Sequence, residues 1–100
     1  METYIVKREN ENDLKFAGEI IGEAYYEDNF GCSKTLTLYK TKTGTFVCSE
    51  KTYINIEPTY TTNNALVTLS EAEVINFFGQ SDLAKKLYAE AKIENVETVE

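Results

Sequence analysis

Apolar and polar side chains alternate at every second position over residues 34–50, with Gly44 interrupting the pattern. Leu36 and Leu38 are the apolar members before the glycine, and Phe46 and Cys48 are those after it. Such alternation around a glycine is typical of a β-hairpin. A three-residue turn at 42–44 would place Leu38 opposite Cys48. The pattern therefore predicts a hairpin with these four side chains on its core side.

Shorter stretches predict the remaining strands. Residues 3–8 suit a first strand and 14–26 a long second one, in which two glycines mark bulges or bends. A helix over 17–26 is the competing prediction, but each glycine would cost it about 1 kcal/mol. The second hairpin strand extends to Ile56, and Pro58 ends it because proline lacks a backbone donor. Residues 59–64 predict an edge segment or a long loop, and 65–69 a last strand.

The pattern becomes helical after residue 69. Ser70 and Glu73 have the spacing of a capping box, and Gly79 suits the end of that helix. Ser81 can cap a second helix. Residues 94–100 predict either a frayed acidic tail or a short strand through Val96 and Val99.

Strands followed by helices predict an α+β fold. We expect a single domain, 1–100, with a twisted antiparallel sheet of about four to five strands and a C-terminal helix pair packed on one face. One hundred residues supply apolar area for one such two-layer core.

The charge balance disfavours direct binding to nucleic acid. Seventeen acidic residues against ten basic ones leave a net charge of −7, whereas duplex binding depends on lysine and arginine. The sequence shows neither an apolar run of membrane-span length nor a signal-peptide pattern, so we expect a cytoplasmic protein. Acidity keeps a small protein soluble, or fits it to a basic groove on another protein.

The sequence predicts no enzyme and no catalytic, cofactor-binding or metal-binding residue. The chain has no histidine and no nucleotide-binding glycine motif. Cys32 and Cys48 would lie about 20 Å apart on the hairpin, too far for a disulfide. Residues 27–29 resemble a fragment of a calcium loop, but their flanks predict strands rather than helices. Glu19 and Glu23 would form an acid/base pair only if both faced one pocket.

A protein-contact surface is the better candidate for function. The hairpin side chains opposite the core face would form an exposed sheet face of the kind that tyrosine favours at interfaces. The acidic loop after the second strand is a further candidate. The predicted contact residues are Tyr39, Val47, Thr35, Thr37, Glu27 and Asp28.

Three segments together resemble small bacterial proteins of the EXLDI type and their relatives: Lys15-Phe-Ala-Gly-Glu-Ile-Ile-Gly-Glu23, Leu36-Thr-Leu-Tyr-Lys-Thr-Lys-Thr-Gly-Thr-Phe-Val47 and Phe77-Phe-Gly-Gln-Ser-Asp-Leu-Ala-Lys-Lys-Leu-Tyr88. The resemblance covers most of residues 14–93, and it implies the fold without supplying a catalytic residue. The sequence lacks the N-terminal DNA-binding-like segment of many relatives, and residues 93–97 depart from the E-x-L-D-I ending.

The first functional hypothesis is a non-catalytic module that binds another protein. A narrower form is a phage or mobile-element inhibitor of a nucleic-acid-handling defence complex, of the anti-CRISPR or anti-restriction type. An alternative is a small-molecule-binding domain with a pocket near Gly18–Glu23. A homodimer paired through residues 59–62 is a further hypothesis, and the sequence leaves monomer and homodimer open.

Overall fold

Five antiparallel strands precede two helices in the computed structural model, which describes residues 1–96 and 99. The elements are β1 (Glu2–Val6), β2 (Leu14–Glu27), β3 (Ser33–Thr41), β4 (Phe46–Ile54), β5 (Tyr60–Thr68), α1 (Glu71–Phe78) and α2 (Asp82–Ala91). Each strand pairs with its neighbours in sequence, so the sheet order is β1-β2-β3-β4-β5. The predicted α+β fold is confirmed. In the part of the chain that is described, neither helix is long and apolar enough to cross a membrane.

The central hairpin has the predicted register. Leu38 pairs with Cys48 and Leu36 with Glu50. At the turn, the Thr41 amide donates to the Thr45 carbonyl at 2.8 Å, and the Gly44 amide donates to the Thr41 carbonyl at 2.9 Å. Gly44 has a φ of 90°, in the left-handed region where a side chain is disfavoured. The turn thus fixes which hairpin residues share a face.

Strand β2 is continuous from Leu14 to Glu27, and the alternative helix over 17–26 is wrong. Its register with β3 shifts between Ile20 and Gly22, which makes Ile21 the extra residue of a bulge. At Gly22 a Cβ atom would lie 3.0 Å from the Ala91 and Leu87 side chains. The absence of a side chain there lets α2 approach the sheet closely.

The last strand begins earlier than residue 65. Strand β5 starts at Tyr60, which pairs with Ile54, and runs to Thr68, which pairs with Phe46. The edge-segment alternative for 59–64 is therefore right from Tyr60 onward, and the loop alternative is wrong. Within the described residues, β5 is an edge strand of the sheet, with β4 as its neighbour.

Both predicted helix caps form. The Ser70 hydroxyl accepts from the Glu73 amide at 3.3 Å, and the Ser81 hydroxyl accepts from the Ala84 amide at 3.1 Å. In a capping box the glutamate side chain also bonds to the backbone amide of the cap residue. Here Thr68 bridges the two groups: its hydroxyl accepts from the Ser70 amide and donates to the Glu73 carboxylate, each at 3.0 Å. The cap thereby joins α1 to the end of β5.

The helix-covered face of the sheet holds the main core. The sheet contributes the four predicted residues together with Ala24, and the helices contribute Val74, Phe78, Ala84, Leu87 and Tyr88. The Tyr88 hydroxyl donates to the Gly79 carbonyl at 2.7 Å, which links α2 to the end of α1. Cys48 is fully buried, and this burial raises the pKa of its thiol to about 12. Cys48 and Cys32 are both free thiols, in agreement with the sequence prediction.

The opposite face of the sheet curls over a second, smaller apolar cluster. The rings of Tyr4, Phe16 and Tyr39 pack with centroids 4.9–5.8 Å apart. The segment after β1 crosses to the far edge of the sheet, where the Glu9 amide donates to the Asn63 carbonyl at 3.1 Å. The Asn63 amide in turn donates to the Glu9 carboxylate at 3.1 Å. This Glu9–Asn63 contact connects the β1 end of the sheet to β5.

The prediction for residues 94–100 depends on Glu97, Thr98 and Glu100, which lie outside the described residues. Before them, the chain turns at Lys92, which adopts a left-handed conformation. The Ile93 amide donates to the Tyr88 carbonyl at 2.9 Å, and the Ile93 side chain joins the core.

Candidate interaction surface

The predicted contact face is largely interior. Tyr39 and Val47 lie in register on the face opposite the helices, as parity required, but Val47 is only 2% exposed. Thr37 is also buried, and its hydroxyl donates to the Glu23 carboxylate at 3.2 Å. Thr35 is half-buried. The expected exposure of Val47 and Thr37 is therefore wrong.

The physical reason is the curl of the sheet. Ile5, Val6 and Lys7 line a groove together with Tyr39 and Ser49, which places the end of β1 over the middle of the opposite face. Tyr39 is half-buried against two other aromatic rings. Loss of hydration, with the Glu23 carboxylate adding to it, raises the pKa of the Tyr39 phenol.

The two acidic candidates lie at the end of β2 and have different surroundings. The Asp28 carboxylate accepts from the Phe30 amide at 2.8 Å and from the Cys32 amide at 3.0 Å. This is the local bonding by which aspartate stabilises a turn. Glu27 is exposed and accepts from the Tyr25 hydroxyl at 2.7 Å, a bond that raises the pKa of the Tyr25 phenol. Glu27 thus remains available on the surface, whereas Asp28 shapes the loop.

Six large, exposed apolar side chains lie at this same end of the sheet. They lie at the ends of β2 and β4, at the start of β5 and in the two loops beside them. Phe30 is 76% exposed, and the least exposed member, Tyr53, is still 37% exposed. We call this group the tyrosine rim: Tyr25, Tyr26, Phe30, Tyr53, Ile56 and Tyr60.

The tyrosine rim lies beyond the reach of the helices. Helix α2 packs against β2 at Gly22, and Ala24 is the last β2 residue in the core. Tyr25 and Tyr26 follow directly, and because neighbouring strand residues point to opposite faces, they extend the rim around both sides of the sheet. The helices therefore leave this end of the sheet apolar and exposed.

The loops that carry the rim are joined by Asn55. Its side-chain amide donates to the Phe30 carbonyl at 2.9 Å, and its backbone amide donates to the Cys32 sulfur at 3.3 Å. The β2–β3 loop is thereby attached to the segment after β4. Such bonds reduce the entropy lost when loop residues become ordered on binding.

The Glu19 and Glu23 carboxylates do not converge. Glu19 pairs with Lys40 and Glu23 with Thr37, which are residues of opposite parity on β3. The bulge at Ile21 thus places the two carboxylates on opposite faces of the sheet. Among the described residues, three of the surface grooves have no lining residue between Gly18 and Glu23. Within the described residues, no three acidic or cysteine side chains cluster as metal ligands would.

No family model, no curated protein and no solved structure matches the chain. The resemblance to EXLDI-type proteins therefore stays a prediction.

Tyr25, Tyr26 and Tyr53 lie in predicted strands, and Tyr60 lies in the segment predicted as an edge or a long loop. Tyr39 is the only tyrosine among the predicted contact residues. Phe30 and Ile56 carried the missing signal. Phe30 lies in the polar loop segment Asp28-Asn-Phe-Gly31. Ile56 was predicted to end the second hairpin strand, but β4 ends at Ile54, so Ile56 lies in the loop segment Asn55-Ile-Glu-Pro58. An apolar side chain in such a loop has no periodic pattern to direct it into the core.

Proposed function

We propose that this chain is a non-catalytic module that binds another protein through the tyrosine rim. The observation that carries the proposal is the exposure of six large apolar side chains at one end of the sheet. Tyrosine and phenylalanine are enriched at protein interfaces, where they supply large contact area with few rotatable bonds. Exposed apolar groups of this kind mark interaction sites on proteins that are otherwise polar.

The charged residues beside the rim indicate the surface charge expected of the partner. Glu27 and Glu57 are exposed there, and Lys34 lies 3.6 Å from the Glu50 carboxylate, which offsets its charge. An apolar surface flanked by carboxylates is complementary to a partner that carries lysine or arginine around an apolar patch. We therefore expect affinity to come from the aromatic groups and the association rate to depend on salt.

The test is capture of a partner from a lysate of the source cells, followed by affinity measurements with the purified partner. Phe30→Ser and Tyr60→Ser each remove a rim side chain, and we expect each to weaken binding by at least about tenfold. Leu69→Ser is the matched control, because Leu69 is 77% exposed and lies outside the rim. Circular dichroism would establish that all variants fold. Capture of no partner, or equal affinity for rim and control variants, would contradict the proposal.

The identity of the captured partner tests the narrower hypothesis, that the protein inhibits a nucleic-acid-handling defence complex. The net charge of −7 favours a partner with a basic groove, such as a complex that handles nucleic acid. Recovery of such a complex, with an association rate that falls as salt is added, would support an inhibitor of that complex. Recovery of a partner without a basic surface would exclude the inhibitor while leaving the binding module in place.

A further inference from the structure

A groove of about 380 Å³ lies at the other end of the sheet, beside the β3–β4 turn. Its lining comes from the start of β2, the turn itself and the facing residues of β4 and β5. The apolar part of the lining is Leu14, Phe16, Ala17, Val47 and Val67. We call this site the hairpin groove. Its volume falls within the range of small-molecule sites, about 300–1,000 Å³.

The walls of the hairpin groove are held by packing elsewhere in the fold. Phe16 belongs to the ring cluster with Tyr4 and Tyr39, and Val47 is almost fully buried. Val67 pairs directly with Val47 yet remains 47% exposed. An apolar side chain is thus left open beside a buried one, and a bound apolar group would cover it.

The threonine part of the lining is joined by hydrogen bonds. Thr41, Thr43 and Thr45 line the groove. The Thr41 and Thr43 hydroxyl oxygens lie 3.0 Å apart, and the Thr45 amide donates to the Thr41 hydroxyl at 3.1 Å. A ligand would therefore meet a site that is largely formed before binding, which lowers the entropy cost of association.

The charge of the lining is opposite to that of the protein. Lys15 and Lys42 are the charged residues that line the hairpin groove, in a chain whose net charge is −7. Both lysines are exposed, and in the described part of the chain neither forms an ion pair with a carboxylate. Long lysine side chains can lie along apolar surface while their ammonium groups stay in water. This combination suits a ligand with an apolar body and one negative charge.

We propose that the hairpin groove binds a free amphipathic carboxylate, with its aliphatic chain against Phe16 and Val67 and its carboxylate at the edge of the groove, within reach of the flexible Lys15 and Lys42 side chains. The inference is independent of the tyrosine rim, which lies at the opposite end of β3. The aliphatic chain of the bound ligand would exclude water from Val67. Its carboxylate group would pair with lysines that have no carboxylate partner in the described residues. The energetic contributions would be apolar burial and a screened ionic attraction.

The experiment is a titration of the ¹⁵N-labelled full chain with sodium octanoate below its micellar concentration, followed by amide chemical shifts. We expect saturable shifts at Thr43, Thr45 and Val67, and unchanged amides at the tyrosine rim. Neutral octanol should bind several-fold more weakly. Absence of saturation, shifts confined to other sites, or equal affinity for octanol and octanoate would overturn the proposal.

Two variants test the two parts of the site. Val67→Gln removes the open apolar wall, and a Lys15→Gln/Lys42→Gln double variant removes the positive charge. We expect each to weaken octanoate binding by about fivefold. Lys85→Gln/Lys86→Gln, on the exposed side of α2, is the matched control and should bind like the unmodified chain. Binding to phosphatidylglycerol vesicles is measured as well, to distinguish a membrane surface from a free ligand. Vesicle binding that depends on Lys15 and Lys42 would contradict the proposal of a free ligand.

Discussion

The two faces of the central hairpin are both buried, but different parts of the chain cover them. Leu38 and Cys48, on the helix-covered face, pack against Val74 and Leu87, and all four are fully buried. Tyr39 and Val47, the sequence neighbours of Leu38 and Cys48, point to the opposite face, where aromatic rings and the end of β1 cover Tyr39 and where Val47 is buried. Two capped helices cover the first face, whereas the curl of the sheet itself covers the opposite face. Residue parity therefore identifies which side chains share a face, but it does not reveal whether solvent reaches that face.

The largest expected effect comes from Leu38→Ala on the helix-covered face. Leu38 has no exposed surface, so truncation removes buried methyl groups and leaves a cavity. We expect a loss of about 2–5 kcal/mol in the free energy of unfolding, measured by urea denaturation. The matched control is Leu69→Ala at an exposed position, which should change stability by less than about 0.5 kcal/mol. Similar effects for the two variants would contradict the assignment of the core.

Val47→Ala measures whether the opposite face is also core. Because Val47 is 2% exposed, we expect its truncation to cost about 1–2 kcal/mol in the free energy of unfolding. The same change at Val67, its half-exposed cross-strand partner, should cost less. An effect of Val47→Ala within about 0.5 kcal/mol would mean that the curl does not exclude water from this face.

The smallest expected effect comes from the contact between the β1–β2 loop and β5. Glu9→Ala removes the acceptor of the Asn63 amide, and we expect a loss of about 0.5–1.5 kcal/mol in the free energy of unfolding. Glu9→Gln keeps an acceptor oxygen and should restore most of that loss. Hydrogen exchange at the Asn63 amide gives a direct measurement, since it should accelerate in Glu9→Ala and not in Glu9→Gln. Equal exchange in all three proteins would show that this contact does not protect the edge.

The features that could be predicted from sequence are those that residues close together in the chain determine. The hairpin register follows from Gly44 and two-residue alternation, and the helix starts follow from Ser70 and Ser81, whose partners lie three residues away. The two glycines of β2 predicted bulges or bends, and a bulge does form at Ile21 beside Gly22. The extent of the curl could not be predicted, because it also depends on bonds between Glu9 and Asn63, which are distant in sequence. A two-residue pattern predicts the face of a side chain, whereas its burial depends on what distant segments place over it.

The same limit applies to the candidate sites. Thr35, Thr37, Tyr39 and Val47 share the predicted face, but the curl changes that face from surface to interior. The tyrosine rim depends on where α2 stops covering the sheet, which is a three-dimensional property. The hairpin groove combines residues from β2, the hairpin and β5, and no local sequence motif joins them.

The Glu9–Asn63 contact also has a consequence for the order in which the chain folds. Every strand pairs with its sequence neighbour, so the sheet can grow one hairpin at a time with short loops to close. The contact between Glu9 and Asn63 spans 54 residues, and its closure costs the most chain entropy until the intervening strands are paired. We therefore expect the meander to form first and the curl to close last, so that substitutions at Glu9 accelerate unfolding and leave the folding rate nearly unchanged.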